Sequence, residues 1–117
     1  MWLFTETGFV SAVRHNAQPG HMMVRARDAE SLRDLANLSG EQIKSTPTGD
    51  YPYRVVVTDS TLTEWMSLSV EVADYTNFKS RVAVSRGHTF ADALMSVWSI
   101  MHDVEDNNAR LGLAARR

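Results

Sequence analysis

Five cations fall in segments with the composition of β-strands, and guanidinium groups gathered on one sheet face are the most chemically pointed feature of this chain. If Met22, Val24 and Ala26 turn towards a core, period-two alternation turns Arg25 and Arg27 to the opposite face. The same rule sends Arg54 outward from Tyr53, Val55 and Val57, Lys44 outward from Ile43, and Arg14 outward from Val13. Trp2 or Phe4 would interleave with them. Arginines beside aromatic rings suit phosphates and stacked bases, so Arg14, Arg25, Arg27, Lys44 and Arg54 form a candidate site for an anionic ligand, a nucleotide or nucleic acid. The competing account is a solvated face, its cations paired with Glu6, Asp28 or Asp50 or covered by the C-terminal helices. The paired aromatic signature of an RNA-recognition sheet is missing.

A second constellation is Asp74-Tyr75-Thr76-Asn77-Phe78-Lys79, at a break between helical segments. Asp74, Tyr75, Asn77 and Lys79 mix an aromatic ring with hydrogen-bonding groups, as binding loops do. A structural turn explains the same residues, with Asp74 capping the next helical segment and Tyr75 and Phe78 anchoring the turn to the core. His102 and Asp106 stand at i, i+4, a spacing that could hold a divalent cation. The phosphohydrolases built on a His-Asp pair need further ligands that are lacking here, and a solvated acidic helix end is the simpler account.

The remaining histidines, His15, His21 and His88, are scattered. His88-Thr89 is followed by Phe90, where a two-histidine phosphoesterase would carry Ser or Thr. Nucleophile-elbow, Walker and dinucleotide fingerprints are absent. No catalytic residue, cofactor or metal is expected from motifs. Because triads assemble from distant residues, an enzyme stays open, and a metal-dependent hydrolase around His102 is the third function considered.

Composition narrows the class. The chain has 117 residues, no cysteine and a net charge of −2, which excludes disulfides and thiol chemistry and argues against a generic, charge-driven nucleic-acid binder. No apolar run approaches the roughly 18 residues that span a bilayer, so a soluble, cytoplasmic protein without a membrane partner is expected. One domain over residues 1–106, followed by a polar, frayed tail over 107–117, fits the length.

Glycine and proline say where the elements lie. All three prolines and four of the six glycines precede residue 53. The first half therefore reads as strands around one helix and the second as helices. A hairpin is expected over 1–15 with Glu6-Thr7-Gly8 as its turn, and strands over 21–27, 42–46 and 53–58. Asp28 is expected to cap a helix that Gly40 ends. Thr61 and Glu64 stand at capping-box spacing before the stripe Leu62, Trp65, Met66, Ser69, Val72 and Ala73. A shorter helical segment covers Phe78–Ser85. Thr89 is expected to cap the last helix, whose stripe Phe90, Leu94, Val97, Trp98 and Met101 is expected to pack in a core. Met95 lies off that stripe, where it could serve a partner surface. The order implies an α+β fold: an antiparallel sheet of about five strands with two to four helices on one face. A ferredoxin-like core over 21–73 is compatible with it.

Five stretches in order resemble a small uncharacterised family of bacterial and phage proteins. They are Met1-Trp2-Leu3-Phe4-Thr5 with Gly8-Phe9-Val10-Ser11, Met23-Val24-Arg25-Ala26-Arg27, Asp50-Tyr51-Pro52-Tyr53-Arg54, Asp74-Tyr75-Thr76-Asn77-Phe78-Lys79-Ser80 and Val97-Trp98-Ser99-Ile100-Met101. The polar C-terminal tail departs from the family pattern. The resemblance implies no activity, cofactor or catalytic residue. The expected function is a non-catalytic binding or regulatory module acting through a protein partner, one form being a phage or mobile-element inhibitor of a host system. Homo-oligomerisation through a sheet edge or the last helix is compatible with the pattern.

Overall fold

Alternating apolar residues and tight turns build the first half into an antiparallel sheet. The computed structural model describes residues 1–47 and 49–115, with side chains up to Glu105 in the last helix. Strands β1 (Trp2–Thr5), β2 (Gly8–Arg14), β3 (His21–Ala26), β4 (Lys44–Ser45) and β5 (Tyr53–Thr58) form one sheet in the order β1-β2-β3-β5-β4. Every neighbouring pair is antiparallel. Helices α1 (Arg33–Ser39), α2 (Asp59–Glu71), α3 (Phe78–Arg86) and α4 (His88–Ala115) follow the expected order, so the α+β class holds. Segment β3-α1-β4-β5-α2 has the split order of a ferredoxin-like core, with β5 between β3 and β4. Beside β3 lies β2, which precedes it in the chain.

The contacts divide the chain into two compact units, Met1–Thr76 and Asn77–Arg117, where composition alone suggested one domain over 1–106. In the first unit, Val10, Ala12, Val24, Ala26, Val55 and Val57 present one sheet face to Leu32, Leu35, Leu62 and Trp65. These side chains are nearly or wholly buried. At about 25 cal/mol per Å² of apolar area, their burial is the main force holding α1 and α2 to the sheet. In the second unit α3 packs along α4, with Val82 and Ala91 buried.

Helix starts differ from the sequence expectation in instructive ways. Asp28 accepts from the Ser31 amide (3.0 Å) and hydroxyl (2.6 Å) and so starts a 3-10 turn, Glu30–Leu32, ahead of α1. Gly40 ends α1 at φ 73°, a left-handed conformation that glycine adopts without steric cost. Helix α2 begins three residues earlier than the capping box would require: Thr58 is its cap, its Oγ1 accepting from the Thr61 amide at 3.2 Å. The last β5 residue therefore does the capping, and Thr61 lies inside the first turn. Asn77, not Asp74, caps α3 through Oδ1 and the Ser80 amide (2.9 Å). Helix α4 opens at His88, before Thr89, and runs unbroken to Ala115. The backbone of the expected tail is helical as far as Ala115, a stretch in which Ala109, Arg110, Leu111, Leu113, Ala114 and Ala115 are strong helix formers. Arg116 and Arg117 lie outside the described residues. No described helix is long and apolar enough to cross a membrane.

Candidate functional site

Register places the basic residues. On the sheet face opposite the core, one row crosses all five strands: Trp2 opposite Ser11, Ser11 opposite Arg25, Arg25 opposite Arg54, and Arg54 opposite Lys44. Arg25, Arg54 and Lys44 thus share a row, with an aromatic residue at its far end. Arg27 lies just beyond β3. Arg14 does not belong to this group. It pairs with Met22, whose parity is that of the core face, and it forms an ion pair with Asp59 at the start of α2. The sequence expectation failed there because Val13, inward by hydrophobicity, stands on the outer face opposite Met23.

A loop occupies part of the basic row. Tyr51 is only 6% exposed and lies between two guanidinium groups, the Cζ atoms of Arg25 and Arg27 being 4.6 and 4.4 Å from its ring centroid. Cation–π contacts of this kind are worth about 0.5–2 kcal/mol each. Arg27 also bonds to the Asp50 carbonyl and carboxylate, the latter at 3.2 Å. Arg25 donates to the buried Ser11 hydroxyl at 2.9 Å, so it lies along the sheet and does not project into solvent. The Nε atoms of Arg25 and Arg54 are buried with no hydrogen-bond partner among the described residues. The sequence did not single out Tyr51; the signal was its position directly before Pro52 and the last strand.

The second feature was invisible in sequence. Strand β1 is an edge, and its hydrogen bonds show which groups are free for pairing. Met1 and Ala12 bond both ways, at 2.9 and 2.8 Å. Antiparallel alternation then turns Leu3 and Thr5 towards β2, and the amides and carbonyls of Trp2 and Phe4 towards the open edge. Trp2 is 68% exposed, and it meets Phe9 edge-on at 5.6 Å while Phe4 stacks on Phe9 at 4.6 Å. Below this edge opens a groove of about 850 Å³. Leu3, Trp65, Met66, Leu68 and Val72 give it apolar walls, and Glu6, Asp34 and Asn37 also line it.

No family model, curated protein or solved structure matches this chain.

The remaining candidates separate. Tyr75 is half-buried and lines the groove, and Asp74 precedes it in the first unit. Asn77 is engaged as the α3 cap, and Lys79 is an exposed first-turn residue of α3 in the second unit. His102 stacks on Trp98 at 5.5 Å, with Nδ1 3.9 Å from Glu105 Oε2. The Asp106 side chain lies outside the described residues. Among the described residues no three His, Asp or Glu side chains converge as metal ligands.

Proposed function

We propose that this chain is a non-catalytic binding module that captures a partner protein by adding an extended segment to β1. The observation that carries this reading is the outward amides and carbonyls of Trp2 and Phe4 above the apolar groove. The opposite edge is blunted: β4 has two residues, one of them Lys44. Short, lysine-bearing edges discourage pairing, whereas Trp-Leu-Phe-Thr carries no charge or proline to prevent it. An added strand would bond to Trp2 and Phe4 and drop alternate side chains into the groove. Apolar side chains fit its walls, and the exposed Asp34 in its lining favours a basic residue in the captured segment. A phage or mobile-element inhibitor acting on a cytoplasmic host protein is the form of this reading that the small size favours.

Phe4→Pro tests it. The Phe4 amide points away from β2, so proline removes an edge donor and blocks the approach of a strand without deleting a bond inside the sheet. Peptides selected from a display library against the full chain should be extended and apolar. They should bind Phe4→Pro at least about tenfold more weakly than Phe4→Ala, which loses the same stack on Phe9 but keeps the edge amide. Equal binding to both variants overturns the reading.

A second reading rests on the buried Nε atoms of Arg25 and Arg54, residues opposite each other in the β3–β5 pair, with Lys44 opposite Arg54 and Arg27 sharing the Tyr51 ring with Arg25. A nucleotide phosphate or nucleic-acid backbone would neutralise this group. It predicts salt-sensitive affinity that disappears when Arg25 and Arg27 become glutamate. Salt-independent binding, or binding retained in the double variant, rules it out.

A further inference from the structure

The second unit has little interior of its own. Among its described residues only Val82 and Ala91 are buried. A helical hairpin of about forty residues rarely supplies a sufficient core, and oligomerisation is one of the usual remedies. Its apolar side chains are instead displayed. Val97, Trp98, Ile100, Met101 and Val104 are all exposed, Trp98 at 61%, Ile100 at 63% and Met101 at 57%. The stripe that the sequence assigned to a core therefore lacks one within the described residues of the second unit beyond Leu94.

The stripe is patterned for helix pairing. Phe90, Leu94, Val97, Met101 and Val104 follow one another at intervals of four and three residues, the a/d spacing of a coiled coil. The same spacing continues in the sequence to Asn108 and Leu111. With 3.6 residues per turn, Trp98 and Ile100 flank this seam and widen the apolar sector to roughly 160°. Such breadth exceeds a two-stranded seam and suits a bundle in which each helix touches more than one neighbour. Asp92, Ser96, Ser99 and Asp103 lie on the opposite side of α4, so closing the seam buries none of them. Glu105 stands at its margin, beside His102.

We propose that two copies of this chain join through the second unit, α4 of one packing on α4 of the other along Val97–Val104. Their α3–α4 hairpins then form a four-helix bundle. A heptad seam is self-complementary: a patch placed on a two-fold axis meets itself, and each copy supplies the apolar surface that the other lacks.

Sedimentation of the full chain between about 1 and 100 µM tests this directly. The parent should be a dimer whose melting temperature rises with concentration. Met101→Glu places a charge in the seam and should weaken the dimer at least about a hundredfold. Ser99→Glu, on the opposite side, should leave it intact. The chain has no cysteine, so Met101→Cys supplies a single thiol per copy, and added diamide, by taking up the two protons and two electrons, should convert the facing pair rapidly to an interchain disulfide. Because Met101 is exposed in the single chain, glutamate there has no monomer core to disrupt. A monomeric parent throughout this range overturns the proposal. So does a dimer that survives Met101→Glu, or one dissolved by Phe4→Pro and not by Met101→Glu.

Discussion

Arg25 stands directly opposite Arg54 in the β3–β5 pair. Like charges in that relationship repel, and both Nε atoms are buried. The arrangement persists because compensation lies close by. The Tyr51 ring offers its negative face to Arg25 while also meeting Arg27, and Ser11 accepts from Arg25. The basic row is thus partly a structural clasp that ties the loop before β5 onto the sheet.

Tyr51 should therefore matter more to stability than its place in a loop suggests. Tyr51→Ala removes a buried ring and both cation–π contacts, and should lower unfolding free energy by about 3–5 kcal/mol in urea titrations. Tyr51→Phe keeps the ring and should fall within about 1 kcal/mol of the parent. Equal losses in the two variants would place the stabilisation in the hydroxyl instead.

The cap of α2 gives a cleaner comparison. Thr58→Ala should cost about 1 kcal/mol, because the Thr61 amide loses its acceptor. Glu64→Gln should cost less than about 0.5 kcal/mol, since Thr61 is not the cap and no capping box forms around it. Thermal midpoints of the two variants settle which residue starts the helix.

Arg14 provides a control for the sheet-face reading. It belongs with Asp59 and not with the row of Arg25, Arg54 and Lys44. If an anion binds that row, Arg54→Gln should weaken it by at least about tenfold, and Arg14→Gln should change affinity less than about twofold. Calorimetry at low salt distinguishes the two. An equal loss from Arg14→Gln would show long-range charge alone at work.

Gly40 tests the end of α1. At φ 73° any side chain is strained, although nothing crowds the place a Cβ would take. Gly40→Ala should therefore cost about 1 kcal/mol in urea titrations, the backbone penalty by itself. A loss beyond about 3 kcal/mol would mean that the helix end repacks.

Much of the fold was legible locally. The three valines at 55–57 marked β5, the alternation from Met22 to Arg27 marked β3, and Gly40 marked the end of α1, each through short-range sterics or period. The same local rule misassigned Arg14. Valine at position 13 is half-buried on the outer face, and hydrophobicity alone does not tell a core face from an apolar outer one. It also sent the Val97–Met101 stripe into a core that the described residues of the second unit do not provide. Amphipathicity reports that a face seeks burial, not what will cover it.

The sequence by itself determined which side chains share a face, where turns interrupt the strands, and that the second half is helical. All of these follow from backbone geometry over a few residues. Only the tertiary structure decided that β1 ends the sheet while β2 lies inside it, that Tyr51 folds back between two arginines, and that a groove opens beneath Trp2 and Phe4. These depend on which strands become neighbours and on how loops return over them. Such choices are made by pairing and burial between residues far apart in the chain, which periodicity along it does not encode.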